Sequence, residues 1–176
     1  AGPAVDVHFT LVDSQIVAVA RGGGGDVLVA CFKATEVTSF RRVSATIENS
    51  SVLVRDGVMS AAAAIIGIGY APIVSVTQVM LIVRGSYIVV ASTADLACAG
   101  SVAVSGGGNS KISLGDSVIA VVASSVVCTG GRTLSIGVRV QSRDSSSCTT
   151  HNLTIWAAGS SVSCVGTSGA AAVGLE

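Results

Sequence analysis

Few side chains in this sequence could carry out acid–base or nucleophilic chemistry, because the 176-residue chain has only two histidines, His8 and His151. His151 and Asp144 are close in sequence, and with one of the many serines they could form a Ser/His/Asp site. No nucleophile-elbow motif surrounds any of these serines, however. We therefore interpret Asp144 and His151 as solvated polar residues at a loop, and we predict a non-enzymatic protein without catalytic residues.

The glycines and cysteines do not form a recognisable cofactor or metal site. The segment Gly106 to Lys111 reads GGGNSK and lacks the GxxxxGK[ST] spacing of a phosphate-binding loop, so we interpret it as a turn. The five cysteines are odd in number and show no CxxC spacing. We expect no cofactor and no metal, and we interpret the cysteines as buried thiols in a reducing compartment.

Arg41 and Arg42 form the one basic cluster of the sequence. A guanidinium fork can bind an RNA phosphate or a carboxylate of a neighbouring subunit, and the alternative is a solvated pair. Adjacent side chains of a strand point to opposite faces, so at most one of the two should face a given partner. Arg41, Arg42 and His151 are the candidates for RNA contact or a subunit interface.

The composition favours strands and a surface that is covered by other molecules. Half of the residues are apolar but only 3% are aromatic, and charged residues make up 11% with a net charge of zero. Val and Ile fit a pleated sheet, and an ordinary soluble domain carries about 25% charged residues. So little charge predicts that symmetry mates or a membrane cover part of the surface. No basic arm for neutralising nucleic acid is present in the chain.

The uncharged segment Met59 to Val83 is long enough to span a bilayer. It is rich in Ala and Gly, contains Pro72 and lacks an aromatic belt, so a buried strand at 61–70 followed by a turn is the better interpretation. We expect no membrane span, and keep a membrane protein with one span near 59–83 as an alternative.

Apolar patterning predicts many short strands separated by turns. Period-two alternation or continuous apolar runs mark strands at 27–32, 42–49, 88–91, 118–123, 133–141 and 151–157. Two short helices are predicted, at Thr35 to Phe40 and at Val76 to Val83, where apolar residues follow a helical spacing. Residues 166–176 are predicted to be a flexible tail. We find no internal repeat and predict a single domain over 1–176.

The order of these segments resembles that of the coat proteins of tymoviruses and their relatives, over about residues 10–165. The matching segments are 14–20, 26–32, the entry Thr38-Ser39-Phe40-Arg41-Arg42 before 43–49, the strand 61–72 that breaks at a proline, Gly85-Ser86-Tyr87 before 88–90, 111–116, and the last two strands at 134–143 and 148–163.

This resemblance implies an all-β fold: an eight-stranded jelly-roll β-sandwich of two facing antiparallel sheets, with one or two short helices. It also implies a capsid protein that self-assembles into an icosahedral shell around a viral RNA genome. The expected partners are copies of the chain itself and, through weak contacts, genomic RNA. The expected location is the virion, with assembly in the host cytoplasm. The alternative from the residues alone is a secreted β-sandwich adhesin or pilus-like structural subunit.

Overall fold

A computed structural model of the protein describes residues 4–20, 25–35, 39–69, 73–94, 96–106, 111–142 and 147–175, and most of these residues lie in β-strands. The strands are β1 (Ala4–Val12), β2 (Gln15–Val19), β3 (Val27–Thr35), β4 (Ser39–Glu48), β5 (Ser51–Gly57), β6 (Ser60–Gly69), β7 (Ile73–Arg84), β8 (Tyr87–Ser92), β9 (Leu96–Gly106), β10 (Lys111–Val122), β11 (Ser125–Ser142), β12 (Ser147–Ala158) and β13 (Ser161–Leu175).

The strands wind into a β-solenoid, in which each coil of the chain stacks on the previous one. Every strand pair between described residues is parallel. The strands β1, β4, β7, β10 and β12 form a five-stranded sheet, which we call sheet A, and the others form sheet B. Residues 125–129 of β11 pair with β8 and residues 132–142 pair with β9, so sheet B forms two sides of each three-sided coil.

The structure contains an internal repeat, which contradicts the sequence interpretation. Equivalent serines of consecutive coils are hydrogen bonded 36 residues apart, except across one junction where the separation is 38. The repeat conserves the class of residue at each position, with apolar residues inside and polar residues at the corners. Because identities change from coil to coil, the repeat is weak in the amino-acid sequence.

The predicted jelly roll is wrong, because that fold needs antiparallel sheets. The strands predicted from apolar patterning, from 27–32 to 151–157, each match one strand of the structure to within one residue past its end. The last strand implied by the resemblance, 148–163, is instead divided between β12 and β13. Alternation reports only that one face of a strand is buried, and that holds for parallel and antiparallel neighbours alike. The antiparallel arrangement came from the resemblance, which the parallel pairing overturns.

The helix predicted at Val76 to Val83 is wrong, because these residues lie in β7. Gln78 has a left-handed backbone, with φ of 55°. This residue interrupts the strand alternation, so Val76 and Val79 are both buried although three positions apart. The interruption is what imitates a helical spacing. Of the other predicted helix, Thr35 lies in β3 and Phe40 in β4, and residues 36–38 lie outside the described part.

The segment predicted as a flexible tail is instead a strand up to residue 175. Residues 166–175 belong to β13, which pairs in parallel with β11. Backbone hydrogen bonding needs no large side chains, so a segment of Gly, Ala, Ser and Val can pair when a template strand lies beside it. The described part contains no helix long and apolar enough to cross a membrane, and the segment 59–83 falls mainly in β6 and β7.

The core is a narrow channel of aliphatic side chains, which explains why the chain needs few aromatic residues. Most of the fully buried positions are Val, Ala, Ile or Leu, and Phe40 is the aromatic residue among them. In β4, for example, the inward residues Val43, Ala45 and Ile47 are each 0% exposed. Beta-branched side chains of this size fill the space between three closely spaced sheets.

A column of serines, which we call the serine ladder, forms the corner between sheet A and sheet B. Its members are Ser14, Ser50, Ser86, Ser124 and Ser160. Each is preceded by a residue with positive φ: Asp13, Asn49, Gly85, Ala123 and Gly159. The Ser86 hydroxyl donates to the Arg84 carbonyl at 2.7 Å and accepts from the Ser50 amide at 3.0 Å. The same two bonds recur from coil to coil, so the ladder fixes the corner and the register.

Candidate functional site

A second column of left-handed residues runs along sheet A, and we call it the polar ladder. It consists of Asp6, Arg42, Gln78, Asp116 and Asn152, with φ between 48° and 56°. All of these side chains are exposed. Such backbone is uncommon outside glycine, and Asn and Asp adopt it most readily. The strand pairing skips these residues, so their side chains leave the regular alternation of the sheet and are exposed.

The polar ladder changes where the arginine pair points. Arg41 and Arg42 are both exposed, and the buried side chain is Val43. The prediction that Arg41 and Arg42 face opposite sides of the sheet is therefore wrong. The reason is the left-handed conformation of Arg42, with φ of 53°, which removes one step of the alternation.

Arg42 is already bound to a carboxylate of the preceding coil. Its Nε donates to Asp6 Oδ1, and its Nη2 donates to Asp6 Oδ2 at 2.6 Å. These hydrogen bonds hold the pKa of Asp6 below its usual value and raise the pKa of Arg42. Arg41 Nε donates to Gln78 Oε1 of the following coil at 3.5 Å. The pair thus links three successive coils, as a fork that spans carboxylate and amide partners.

His151 lies beside Asp116 and Asn152, the last two members of the polar ladder. Asn152 Nδ2 donates to Asp116 Oδ1 at 2.9 Å, and His151 Nε2 lies 3.8 Å from Asp116 Oδ2. The imidazole covers Gly115 so closely that a Cβ built on this glycine would lie 2.2 Å from the ring. Glycine at this position therefore makes room for the histidine of the next coil.

The structure places all three candidate residues on the exposed face of sheet A but does not join them into one site. Arg41 pairs in register with Thr77, Thr77 with Gly115, and Gly115 with His151. Arg41 and His151 therefore occupy equivalent positions of different coils. Three strand spacings separate them, or about 14 Å. An extended partner could contact both residues, whereas a compact ligand could not.

A shallow groove runs beside the polar ladder, and it contains residues that the sequence did not single out. It is lined by His8, Arg42, Val43, Ser44, Gln78, Val79, Met80, Asp116 and Val118. His8 Nδ1 lies 2.7 Å from Ser44 Oγ, a contact made across 36 residues of sequence. The two residues are far apart in the sequence, so their contact could have been predicted only if the coil length had been known.

Within the part of the chain that the structure describes, no carboxylate is hydrogen bonded to the His8–Ser44 pair. A triad needs a carboxylate that orients the histidine, and the adjacent Asp6 is bound by Arg42 instead. Both residues lie on an open groove, where water competes for every hydrogen bond. Asp144, the carboxylate considered from sequence, lies outside the described residues. The geometry thus suits surface hydrogen bonding better than catalysis.

Other charged side chains are also paired along the solenoid. Arg84 Nη1 lies 3.7 Å from Glu48 Oε1 of the preceding coil, and Arg55 Nε lies 3.6 Å from Asp56 Oδ2. An RNA phosphate would have to compete with these carboxylates and with Asp6. Sequence-independent RNA binding relies on several uncompensated cations, and among the described side chains Arg42, Arg55 and Arg84 already face carboxylates.

Large apolar side chains are exposed between these paired charges. They are Val12, Val17, Val19, Met80, Tyr87, Val118, Trp156 and Val165. Val17 and Val165 are the most exposed, at 62% and 60%, and they belong to the first and last coils. Tyr87 is 54% exposed on a middle coil, where its counterparts in the adjacent coils are Ser51 and Ser125. A surface with neutralised charges and exposed apolar groups suits protein association.

Metal ligation finds no support in the described residues, where no three His, Cys, Asp or Glu side chains come together. Cys128 is buried, as expected for an apolar thiol, but Cys148 is exposed. Partial desolvation nevertheless raises the pKa of the Cys148 thiol. The buried interpretation is therefore wrong for Cys148, and Cys31 and Cys164 are only partly buried.

No family model, curated protein or solved structure matches this chain. The likeness to tymovirus coat proteins thus stays a prediction from the order of segments, and its structural part is overturned by the parallel sheets. Function has to be argued from the surface described above.

Proposed function

We propose that this chain is a non-enzymatic structural subunit that functions by associating with copies of itself into elongated assemblies. The observation that carries the proposal is the set of large apolar side chains exposed on a solenoid whose described charges mostly pair with one another. Paired charges give little repulsion between copies, and exposed apolar area gives a driving force of about 25 cal/mol per Å² buried.

The available surface is large enough for such contacts. A standard interface buries about 800 Å² on each partner, which is about one tenth of the 7705 Å² accessible surface of the chain. A solenoid grows in one direction, because each coil contacts only its neighbours. Rods or fibres therefore follow more directly from this shape than the closed icosahedral shell that the sequence suggested.

The test is sedimentation velocity of the purified chain over a wide concentration range, followed by negative-stain electron microscopy. We expect the sedimentation coefficient to rise with concentration and elongated particles to be visible. Closed shells containing nucleic acid, seen as an absorbance ratio typical of nucleoprotein, would support the coat-protein hypothesis instead. A chain that stays monomeric at every concentration would contradict self-association.

Tyr87→Ser tests the role of the exposed apolar side chains without disturbing the fold. Serine already occupies the equivalent position at Ser51 and Ser125, so the sheet accepts it. We expect an association several-fold weaker than wild type and a Tm within about 2 °C of it, because an exposed side chain contributes little to folding. Ser125→Ala is the matched control on the same column and should leave association unchanged. Equal association of Tyr87→Ser and wild type would remove this side chain from the interface.

A further inference from the structure

Building on the proposed self-association, we infer that two copies pack face to face through one side of sheet B, which we call the aliphatic face. This side is formed by β2, β5 and β8, by residues 125–129 of β11 and by residues 161–165 of β13. The partner is a second copy of the chain that presents the same face.

The strands of the aliphatic face are apolar on both of their sides. In β8, Ile88 and Val90 point into the core and are 0% exposed, whereas Val89 points outward and is only partly buried. Leu53 and Val127 pair in register with Val89 and also point outward. Parallel strands that are apolar on both sides are typical of sheets covered on both faces. The core covers one side, and a further layer is expected on the other.

The exposure of this face does not depend on position along the solenoid axis. Leu53, Val89 and Val127 each have a described coil on both sides, because the register continues from Val17 to Ser163. The neighbouring coils account for the partial burial of these side chains, and their outer surfaces point away from the core. A longer or a shorter solenoid would present the same face.

Tyr87 projects from the aliphatic face. It is 54% exposed, and its in-register neighbours Ser51 and Ser125 have much smaller side chains. When two such faces meet, the tyrosine of one copy can lie over a serine of the other, so that the faces interlock. Tyrosine is enriched in the cores of protein interfaces, because its ring buries a large apolar area while its hydroxyl keeps a hydrogen bond.

The aliphatic face carries almost no net charge. Among the exposed side chains of its described strands, Arg55 and Asp56 are the only charged ones, and Arg55 Nε lies 3.6 Å from Asp56 Oδ2. Two copies can therefore meet here without bringing like charges together. A nucleic acid or a strongly charged protein would find no complementary field on this face. A second copy is thus the occupant that the charges favour.

The spacing of the side chains also matches a second copy. Side chains of the face recur at each strand, about 4.8 Å apart, and packed sheets lie about 10 Å apart. Rows of Val and Leu from one copy can therefore lie between the rows of the other, as in the core of a β-sandwich. The pair is longer than one copy in the direction perpendicular to the face, which makes the particle elongated.

The area of the face suits a weak and reversible pair. Five strands contribute to it, and β2 crosses it with 5 residues. At the usual strand spacing and rise per residue, the face measures roughly 24 Å by 17 Å, or roughly 400 Å². That is about half of the surface that each partner buries in a standard interface. The pair should therefore dissociate on dilution.

Matched serine substitutions on two faces locate the contact. Val89→Ser removes an apolar side chain from the aliphatic face, on a column where Ser163 already stands. Met80→Ser does the same on sheet A, on a column where Ser44 already stands. In sedimentation velocity, we expect association several-fold weaker than wild type for Val89→Ser and unchanged for Met80→Ser. The opposite ranking would place the contact on sheet A and overturn the inference.

Tryptophan fluorescence gives a second reading that needs no weakened variant. Trp156, the only tryptophan of the sequence, lies on sheet A and is 42% exposed. Combining Tyr87→Trp with Trp156→Phe moves this reporter to the aliphatic face. As the protein concentration rises, the emission of the double variant should shift to shorter wavelength, because its indole leaves water, and the emission of wild type should stay constant. A shift in wild type without one in the double variant would overturn the inference.

The outcomes separate this inference from the proposal on which it rests. Weaker association of Val89→Ser together with the emission shift at position 87 supports face-to-face packing. Unchanged association of Val89→Ser without that shift overturns the role of the aliphatic face and leaves self-association through another surface. If Val89→Ser fails to fold, the emission at position 87 decides. A wild-type chain that stays monomeric at every concentration, as expected if a different protein covers the face, overturns both.

Discussion

At the residue scale, the polar ladder shows how one backbone conformation redirects function-bearing side chains. A left-handed residue in each strand of sheet A turns a side chain out of the alternating pattern and brings it beside its equivalent in the next coil. Asp6 with Arg42 and Asp116 with Asn152 are contacts of this kind. Interactions along the ladder therefore depend on the coil length as well as on residue type.

Asp6→Asn should lower stability in a pH-dependent manner. The folded-state pKa of Asp6 is lowered from its usual value of 3.8 by the hydrogen bonds from Arg42. The ion pair therefore stabilises the fold above that value, and this contribution is lost as the pH falls through the lowered pKa. We expect a small decrease in Tm near neutral pH, because both side chains are exposed.

Thermal melts of wild type and Asp6→Asn across the acidic range check this. The two Tm values should converge as the pH drops below about 4, where wild-type Asp6 also loses its charge. High salt should reduce the difference at neutral pH, since exposed ion pairs are screened. A difference in Tm between the two proteins that grows as the pH falls would contradict a lowered pKa of Asp6.

Gly115→Ala should move His151 rather than unfold the coil. The new Cβ would overlap the imidazole, but that ring is exposed and can rotate into solvent. We expect a stability loss below about 1 kcal/mol and a large change in the NMR shifts of His151, with those of His8 unchanged. The double variant Gly115→Ala/His151→Ala should recover the stability, and failure to do so would mean that Gly115 is needed for the backbone itself.

At the element scale, the serine ladder accounts for the register of the coils. Each internal serine ties an amide of one coil to a carbonyl within the next, so the corner is satisfied without water. The ladder is also the part of the repeat that the sequence displays most clearly. A serine that follows Asp, Asn, Gly or Ala and comes two residues before Ile or Val recurs at 14, 50, 86, 124 and 160.

Ser86→Ala should cost about 1–3 kcal/mol, the usual penalty for leaving a buried partner unsatisfied. Ser86 is 4% exposed, and its loss leaves the Ser50 amide without an acceptor. Ser14→Ala is the matched control. Ser14 Oγ donates to Val12 O at 2.7 Å, but this bond is exposed to solvent. In the described structure no amide of another coil donates to Ser14 Oγ. Urea titration should therefore rank Ser86→Ala as clearly less stable than Ser14→Ala. Equal losses would mean that the ladder bonds contribute little to stability.

The sequence predicted the strands well and their arrangement poorly. Alternation located β4, β11 and β12 because it depends on burial of one face, a local property of each strand. Whether Val43 pairs with an antiparallel or a parallel neighbour depends on a residue 36 positions away, and no local pattern carries that information. The apolar spacing around Gln78 wrongly predicted a helix for a related reason, because a left-handed residue inside a strand has no distinct local sequence signal.

For the candidate site, the sequence found the residues but not their relations. Arg41, Arg42 and His151 were selected for chemistry that suits a partner, and all three lie on the exposed face of sheet A. Their actual contacts, with Gln78, Asp6 and Asp116, follow from the stacking of coils. The His8–Ser44 pair and the bonds between successive members of the serine ladder became visible only once the coil length was known.

At the scale of the whole molecule, the composition and the fold explain each other. A narrow three-sided solenoid fills its interior with Val, Ala and Ile, which accounts for the 50% apolar and 3% aromatic content. Charges are few because the outer faces carry mainly Ser, Thr and small apolar residues, with ion pairs between coils. The same low charge that suggested a shell subunit suits the self-association that we propose.

The oligomeric state of the purified protein tests this account most directly. Large apolar side chains are exposed and the described charges mostly pair with one another, so we expect copies of the chain to associate. Sedimentation velocity should show a sedimentation coefficient that rises with concentration, and electron microscopy of the same samples should show elongated particles. A sedimentation coefficient that stays at the monomer value at every concentration would contradict the account.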